Sequence, residues 1–358
     1  MAESLTQAAV LQVLRSIQDP DLHRDIVSLG FVKDVTTTDG KVAVTIELTT
    51  PACPVRDKMK DDARRLIGSL PGVKEVEISM TSKVRSTVTQ KLLPGVKNVV
   101  PVASGKGGVG KSTVSANLAL ALARMGARVG LLDADVYGPS IPLIMGVTEP
   151  PRTVGERLVP AEQYGVKVMS TGFFVPEGQA VIWRGPMLSK MIEQFLGGVE
   201  WGELDYLVVD LPPGTGDVQL TLCQKIPLTG AAVVTTPQDV AVRVAEKAII
   251  MFDKLNCPVL GIIENMSRYV CRHCGGSDEI FGSGGGRQAA KRFGLSFLGE
   301  IPLATGIRVA ADEGHPTVIS DPDSSQARAF FQVAENLAAQ ISIRGVKGEL
   351  GQEIRISF

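Results

Sequence analysis

Val99-Val100-Pro101-Val102-Ala103-Ser104-Gly105-Lys106-Gly107-Gly108-Val109-Gly110-Lys111-Ser112-Thr113 is the stretch that decides the fold. The apolar run Val99 to Ala103 predicts a strand buried on both faces. Gly105, four residues and then Gly110-Lys111-Ser112 complete the Walker A spacing, and a helical pattern from Val114 to Arg124 follows directly. Glycines let successive backbone N–H groups turn inward around phosphates, while the following helix aims its positive end at them. Lys111 adds a point charge and Ser112 a hydroxyl suited to Mg²⁺. Residues Gly105, Lys106, Gly107, Gly108, Val109, Gly110, Lys111, Ser112 and Thr113 are therefore expected to bind ATP.

Working outward, four more apolar runs recur between helical patterns: Val129 to Asp133, Tyr206 to Asp210, Ala231 to Thr235 and Val259 to Glu264. Such alternation predicts an α/β fold with a mostly parallel sheet flanked by helices, as in P-loop NTPases. Asp133 and Asp135 follow one run. Asp210 ends another, the position of a Walker B carboxylate that holds Mg²⁺, and Pro212 to Asp217 reads as a switch segment. A closing helix is predicted over residues 324–341.

Upstream, a helical pattern over residues 5–18 precedes two alternating strands, Phe31 to Thr37 and Val42 to Leu48, around an Asp39-Gly40 turn. A second helix begins near Pro54, stops at Leu70-Pro71-Gly72, and is followed by a strand from Val73 to Met80. The sum is a small α+β domain of αββαβ order. We therefore expect domains at residues 1–82 and 98–343, a linker at 83–97 and a tail at 344–358.

Composition bounds the function. The 358 residues carry 37 basic and 38 acidic side chains, 44% apolar residues and a net charge of -1, a globular balance with no basic excess for nucleic acid. Met1-Ala2-Glu3-Ser4-Leu5 has no positively charged leader pattern, and no run is long enough to span a membrane. A cytoplasmic protein without nucleic-acid or membrane partners is expected.

Five cysteines are too few for a disulfide framework. Cys271-Arg272-His273-Cys274 places two thiolates where one metal or cluster takes both, whereas structural zinc and cubane clusters usually take four ligands. A symmetric homodimer would supply the other two. Zinc, iron-sulfur and a redox pair all fit this spacing. Cys223 and Cys257 read as core residues.

Lys106, a second lysine directly after the first loop glycine, resembles the deviant Walker A of the MinD, ParA and nitrogenase iron protein group. That resemblance implies that Lys106 reaches the nucleotide of a partner chain, that Asp135 orients the attacking water, and that Asn265 reads adenine in a pocket shared with Pro237. Leu211 to Asp217, Ile263-Glu264-Asn265-Met266-Ser267, the CxxC, Ile280-Phe281-Gly282 before Gly284-Gly285-Gly286, and Trp183-Arg184-Gly185-Pro186-Met187 together resemble the Mrp/ApbC family of iron-sulfur carriers. This implies a homodimer holding a labile [4Fe-4S] cluster on Cys271 and Cys274 of each chain, loaded by scaffold proteins and delivered to apo iron-sulfur proteins, with ATP hydrolysis controlling the dimer. Asp19-Pro20-Asp21 and Thr50-Pro51-Ala52-Cys53-Pro54 are similar to the SufT-like domain of unknown function 59. Cys53, expected at a helix N-cap where the dipole favours thiolate, is a candidate auxiliary ligand. The alternatives are a positioning ATPase like MinD or ParA, a nitrogenase-type reductase, and a zinc-bridged dimeric ATPase. Residues 324–341 offer Arg328 as their one basic residue, which is weak for a membrane-binding helix.

Overall fold

The computed structural model describes residues 5–86, 92–174, 185–271 and 274–347. The chain divides into two compact units, Met1–Arg85 and Ser86–Phe358.

In the first unit, α1 (Gln7–Leu14), β1 (Val32–Thr38), β2 (Lys41–Leu48), α2 (Arg56–Gly68) and β3 (Glu75–Ser82) follow in the predicted order. β1 and β2 pair antiparallel across the Asp39-Gly40 turn, and β3 joins β2 in parallel after the helical crossover. Alternation along β2 buries Val42, Val44, Ile46 and Leu48 against Val10 and Leu14 of α1 and Met59, Ala63 and Ile67 of α2. α1 is shorter than residues 5–18, because Gln18–Asp19 turns away to form a two-residue ladder with Arg24–Asp25.

The second unit is built on β4 (Val99–Ser104), α3 (Lys111–Arg124), β5 (Val129–Asp133), β6 (Val166–Ser170), α4 (Gly185–Gly197), β7 (Tyr206–Asp210), α5 (Asp217–Lys225), β8 (Ala231–Thr235), α6 (Asp239–Lys254), β9 (Val259–Val270), α7 (Gly285–Phe293), β10 (Phe297–Leu303), α8 (Thr305–Asp312) and α9 (Ser325–Lys347). The sheet runs β6-β5-β7-β4-β8-β9-β10, all parallel, with Ala161–Gln163 antiparallel on β6 and Ser277–Asp278 antiparallel on the far end of β9. Every residue of β4, β5, β7 and β8 is buried, as their continuous apolar runs required. Because parallel strands share one direction, their C-terminal ends gather the loops that carry chemistry along one edge.

α3 lies between the sheet and α9, and its residues from Val114 to Leu122 are all buried. Ser115, Ala116, Ala119 and Ala121 keep that helix thin enough to be covered on both sides, while Leu118, Leu120 and Leu122 each remove a full side chain from water, worth about 1.5–3 kcal/mol apiece. β6 and β10 were not foreseen: Lys167 interrupts the first, and Gly299, Glu300 and Pro302 the second. α9 continues past the predicted helix end at 341 and takes in residues 344–347, where the tail was expected to begin. No helix among the described residues is long and apolar enough to cross a membrane.

Phe252 of α6 is fully buried in the main core. Phe252→Ala is expected to destabilise this unit by about 3–5 kcal/mol, read as a shift of its urea midpoint; a shift below a quarter of that would show that α6 is not packed as described.

Candidate functional site

The loop from Gly105 to Gly110 leaves β4 and enters α3 at Lys111. Gly110, the N-cap, has φ 79°, and a Cβ there would stand 2.3 Å from Asn265 Nδ2, so only glycine fits the turn. Lys111 is buried, with Nζ 2.6 Å from Asp210 Oδ2 and 3.6 Å from Asp135 Oδ2. Ser112 Oγ donates to the same Asp210 oxygen at 2.7 Å, and Ser115 Oγ donates to the other at 2.6 Å. Asp210 is fully buried, which is tolerable because a lysine and two hydroxyls solvate its carboxylate. Lys106, half-buried, forms no ion pair with any described residue. Thr113 follows on the first turn of α3, its carbonyl accepting from Asn117 Nδ2 at 2.9 Å.

The register of the sheet sets Asp133 beside Asp210 on adjacent strands. Asp133 accepts hydrogen bonds from Ser170 Oγ (2.9 Å), Ile141 N (3.1 Å) and Asp135 N (3.1 Å). Burial, and then the negative charge of Asp210, nonetheless push its pKa up to about 7. Burial also raises Asp135, against the opposing charge of Lys111. Gln219 folds the switch segment: its amide donates to Pro212 O at 2.7 Å and Gly214 O at 3.1 Å and accepts from Gly216 N at 3.1 Å. Gly214 N reaches Ser104 O at 2.8 Å, so this segment rests on the strand that launches the phosphate loop.

β9 carries the next group. Asn265 Nδ2 donates to Val109 O at 2.8 Å, so the amide expected to read a base also holds the loop. Glu264, one residue earlier and fully buried, accepts from Gly284 N at 3.0 Å and Gly286 N at 2.6 Å at the start of α7. Pro237, buried after β8, lies against this turn. Beyond Asn265 the strand runs on to Val270 and pairs with Ser277–Asp278, forming a hairpin. Cys271 and Cys274 sit at its tip, the first half-buried and the second exposed. Cys271 N donates to Gly276 O and Gly275 N to Cys271 O, each at 2.9 Å. Among the described residues no group of three or more His, Cys, Asp or Glu side chains forms a metal site.

Thus Lys111, Ser112, Asp135, Asp210, Val109 and Asn265 are brought together, and the cysteine pair stands on the same strand as Asn265. Cys53 belongs to the first unit and requires a correction: the N-cap of α2 is Val55, and Cys53 precedes it by two residues in a turn closed by Arg56 N to Cys53 O. Cys53 is thus not the cap residue, and it packs beside the core of the first unit. Cys223 and Cys257 are buried, as expected, and the contact with Cys223, followed by burial, pushes the Cys257 thiol up. Trp183, Arg184, Arg272, His273 and the tail from residue 348 lie outside the described residues. Ser115, Gln219 and Glu264 were missed; Ser115 alone had a signal, lying one turn beyond Lys111 on the same helix face.

The donor set fits a magnesium nucleotide. Ser112 and Asp210 offer the hard oxygens that Mg²⁺ takes, and side chains at Gly107 or Gly108 would fill space that is open here.

Known proteins resemble this chain over nearly its whole length. Residues 95–338 match a family described as NUBPL iron-transfer P-loop NTPase, and residues 7–80 one described as iron-sulfur cluster assembly protein. The iron-sulfur cluster carrier protein of Deinococcus radiodurans is 49% identical over 97% of this chain and 99% of its own length, and that of Escherichia coli K12 is 41% identical over 96% and 95%. A nucleotide-binding protein of Archaeoglobus fulgidus, solved with ADP, is similar at 40% identity and TM-score 0.58, covering 67% of this chain and 94% of its own. The cell division ATPase MinD of Pyrococcus furiosus is similar at 25% identity and TM-score 0.52, covering 67% and 97%.

The raised Asp133 pKa fixes a pH dependence. A carboxyl whose folded pKa of about 7 exceeds its ordinary 3.8 favours the folded state fully below the lower value and loses that contribution as pH rises through the upper one. In nucleotide-free, magnesium-free protein, Asp133→Asn should therefore lose less Tm than the parent between about pH 5 and about pH 8. Equal losses in the two proteins would contradict the assignment.

Proposed function

Because the chain belongs to the NUBPL iron-transfer P-loop NTPase family, we propose that it is a cytoplasmic, homodimeric carrier that holds a labile [4Fe-4S] cluster between the Cys271 and Cys274 pairs of two chains. It takes the cluster from scaffold proteins and delivers it to apo iron-sulfur proteins, with ATP hydrolysis controlling the dimer. The observation that carries this reading is the strand β9: one continuous element holds the phosphate loop through Asn265 and presents the two thiols at its end.

Support for the dimer comes from ligand number and from surface. Two thiols per chain leave a cubane cluster two ligands short, and a twofold axis beside the hairpin supplies them. Tyr137, Leu220, Val240 and Ile280 are exposed apolar side chains on the segments that follow β5, β7, β8 and β9, and Val270 is exposed at the end of β9, an arrangement that favours burial by a second copy. A cluster shared in this way is labile by construction, since any rotation of one chain against the other stretches its bonds to both.

For the nucleotide, the backbone N–H groups of residues 105–113 cradle the phosphates. Lys111 neutralises their charge, and the Ser112 hydroxyl and Asp210 carboxylate would hold Mg²⁺, which would screen the charge of the terminal phosphates. Asp135, kept close to Lys111, positions the water. Lys106, which pairs with no carboxylate among the described residues, is available to the partner's nucleotide, where a delivered cation stabilises charge in the transition state. The Asn265 amide has a second N–H besides the one given to Val109, so loop and adenine are bridged by one side chain, with Pro237 beside the base.

Cys271→Ser, reconstituted anaerobically with iron and sulfide, should lose most of the iron the parent retains after desalting; undiminished iron would sink the ligand assignment. Lys111→Ala should lose ATP binding, and Lys106→Ala should hydrolyse ATP about 100-fold or more slowly while still binding it. Unchanged turnover in the Lys106 variant would remove the trans role.

A further inference from the structure

The cysteines occupy an excursion of the chain whose two ends are fixed at almost the same place. It departs from β9 after Asn265, which bonds the phosphate loop at Val109 O, and it ends at Gly284 and Gly286, whose N–H groups both donate to Glu264. These glycines open α7, so one carboxylate satisfies two N–H groups that the helix cannot satisfy internally and sits where the helix dipole favours negative charge. The packing leaves no slack. A Cβ on Gly285 would stand 2.3 Å from Pro237 O, and one on Gly286 would stand 3.1 Å from Glu264 Cβ and 3.3 Å from Thr235 Cγ2. The outgoing end is thereby tied to the phosphate loop, and the returning end to the segment that carries Pro237.

We propose that Glu264 is a positioning residue that couples the nucleotide pocket to the cysteine hairpin, its carboxylate clamping the returning end of the excursion so that movement at Val109 and Pro237 is delivered to Cys271 and Cys274. This rests on the reading of the loop and the cysteines given above and adds the part that joins them. Glu264 touches neither nucleotide nor cargo in this role. Two acceptors are needed because there are two donors. Glutamine keeps the volume of the side chain but sets an NH₂ against one glycine N–H, opening one half of the clamp. Aspartate keeps both acceptors on an arm one methylene too short to reach.

The test uses the full-length chain reconstituted anaerobically with iron and sulfide. Loss of iron to a chelator is timed with and without a magnesium complex of a non-hydrolysed ATP analogue. In the parent, the analogue should change the rate of loss about 5-fold or more, the ordinary size of a coupling between sites. Glu264→Gln and Glu264→Asp should load iron like the parent and bind the analogue, yet lose most of that ratio. A ratio in Glu264→Gln equal to the parent's overturns the proposal, and so does a parent that shows no effect of the analogue; neither touches the ligand assignment, which the Cys271 variant decides. A second measurement needs neither a variant nor cargo. Hydrogen exchange of the unsubstituted apo-protein should slow at the Gly284 and Gly286 amides when the analogue binds, together with the loop at 105–113. Protection of the loop alone overturns the coupling.

Discussion

A carboxylate with no exposure to water holds the nucleotide site together. Asp210 receives Lys111, Ser112 and Ser115, three side chains from the first two turns of one helix, and so pins α3 to the end of β7. A lone charge at such depth would cost several kcal/mol, and its neighbours turn that cost into a reason for the helix to sit where it does. The loop between β4 and α3 then has its exit fixed, and its glycines have one path to follow. Asp133 shows the other side of the same constraint: burial, and then the charge of Asp210 beside it, push its pKa up, while the neighbouring cation is drawn to Asp210.

The parts of this arrangement that were legible in the sequence are those whose chemistry is written over short spans. The glycine spacing, the following helix and the strand before it all lie within twenty-odd residues, and each is set by backbone requirements that few residues satisfy. The buried strands were legible because covering both faces of a sheet demands unbroken apolar runs. β6 and β10 were lost for the converse reason, since a lysine or a Gly-Glu-Pro interruption breaks the run while ladder bonds and neighbouring strands still supply the order.

Residues that act by meeting a distant partner left little trace. Ser115 and Asp210 stand 95 positions apart, Ser170 and Asp133 stand 37 apart, and Glu264 finds its glycines 20 and 22 residues on. Apart from the place of Ser115 one turn beyond Lys111, nothing in the local pattern distinguishes these from ordinary core serines or from a glutamate at a strand end. Cys53 failed in a different way. A proline after a cysteine suggested a helix start, but the chain spends Pro54 and Val55 on a turn before the helix begins, which shifts the cap. Asn265 was picked to read a base, and what the structure adds is its bond to the phosphate loop at Val109 O, which no local pattern announced.

The hairpin bearing Cys271 and Cys274 hangs from the sheet by a ladder of two residue pairs, Tyr269 with Asp278 and Val270 with Ser277. Its entrance and exit are neighbours, so the strands and helices that fold the unit do not depend on what lies between them. The tip is in this sense a cartridge. A loop of different length could be spliced between the same two anchors, Asn265 and Gly284, while the parallel sheet and its flanking helices kept every bond described above.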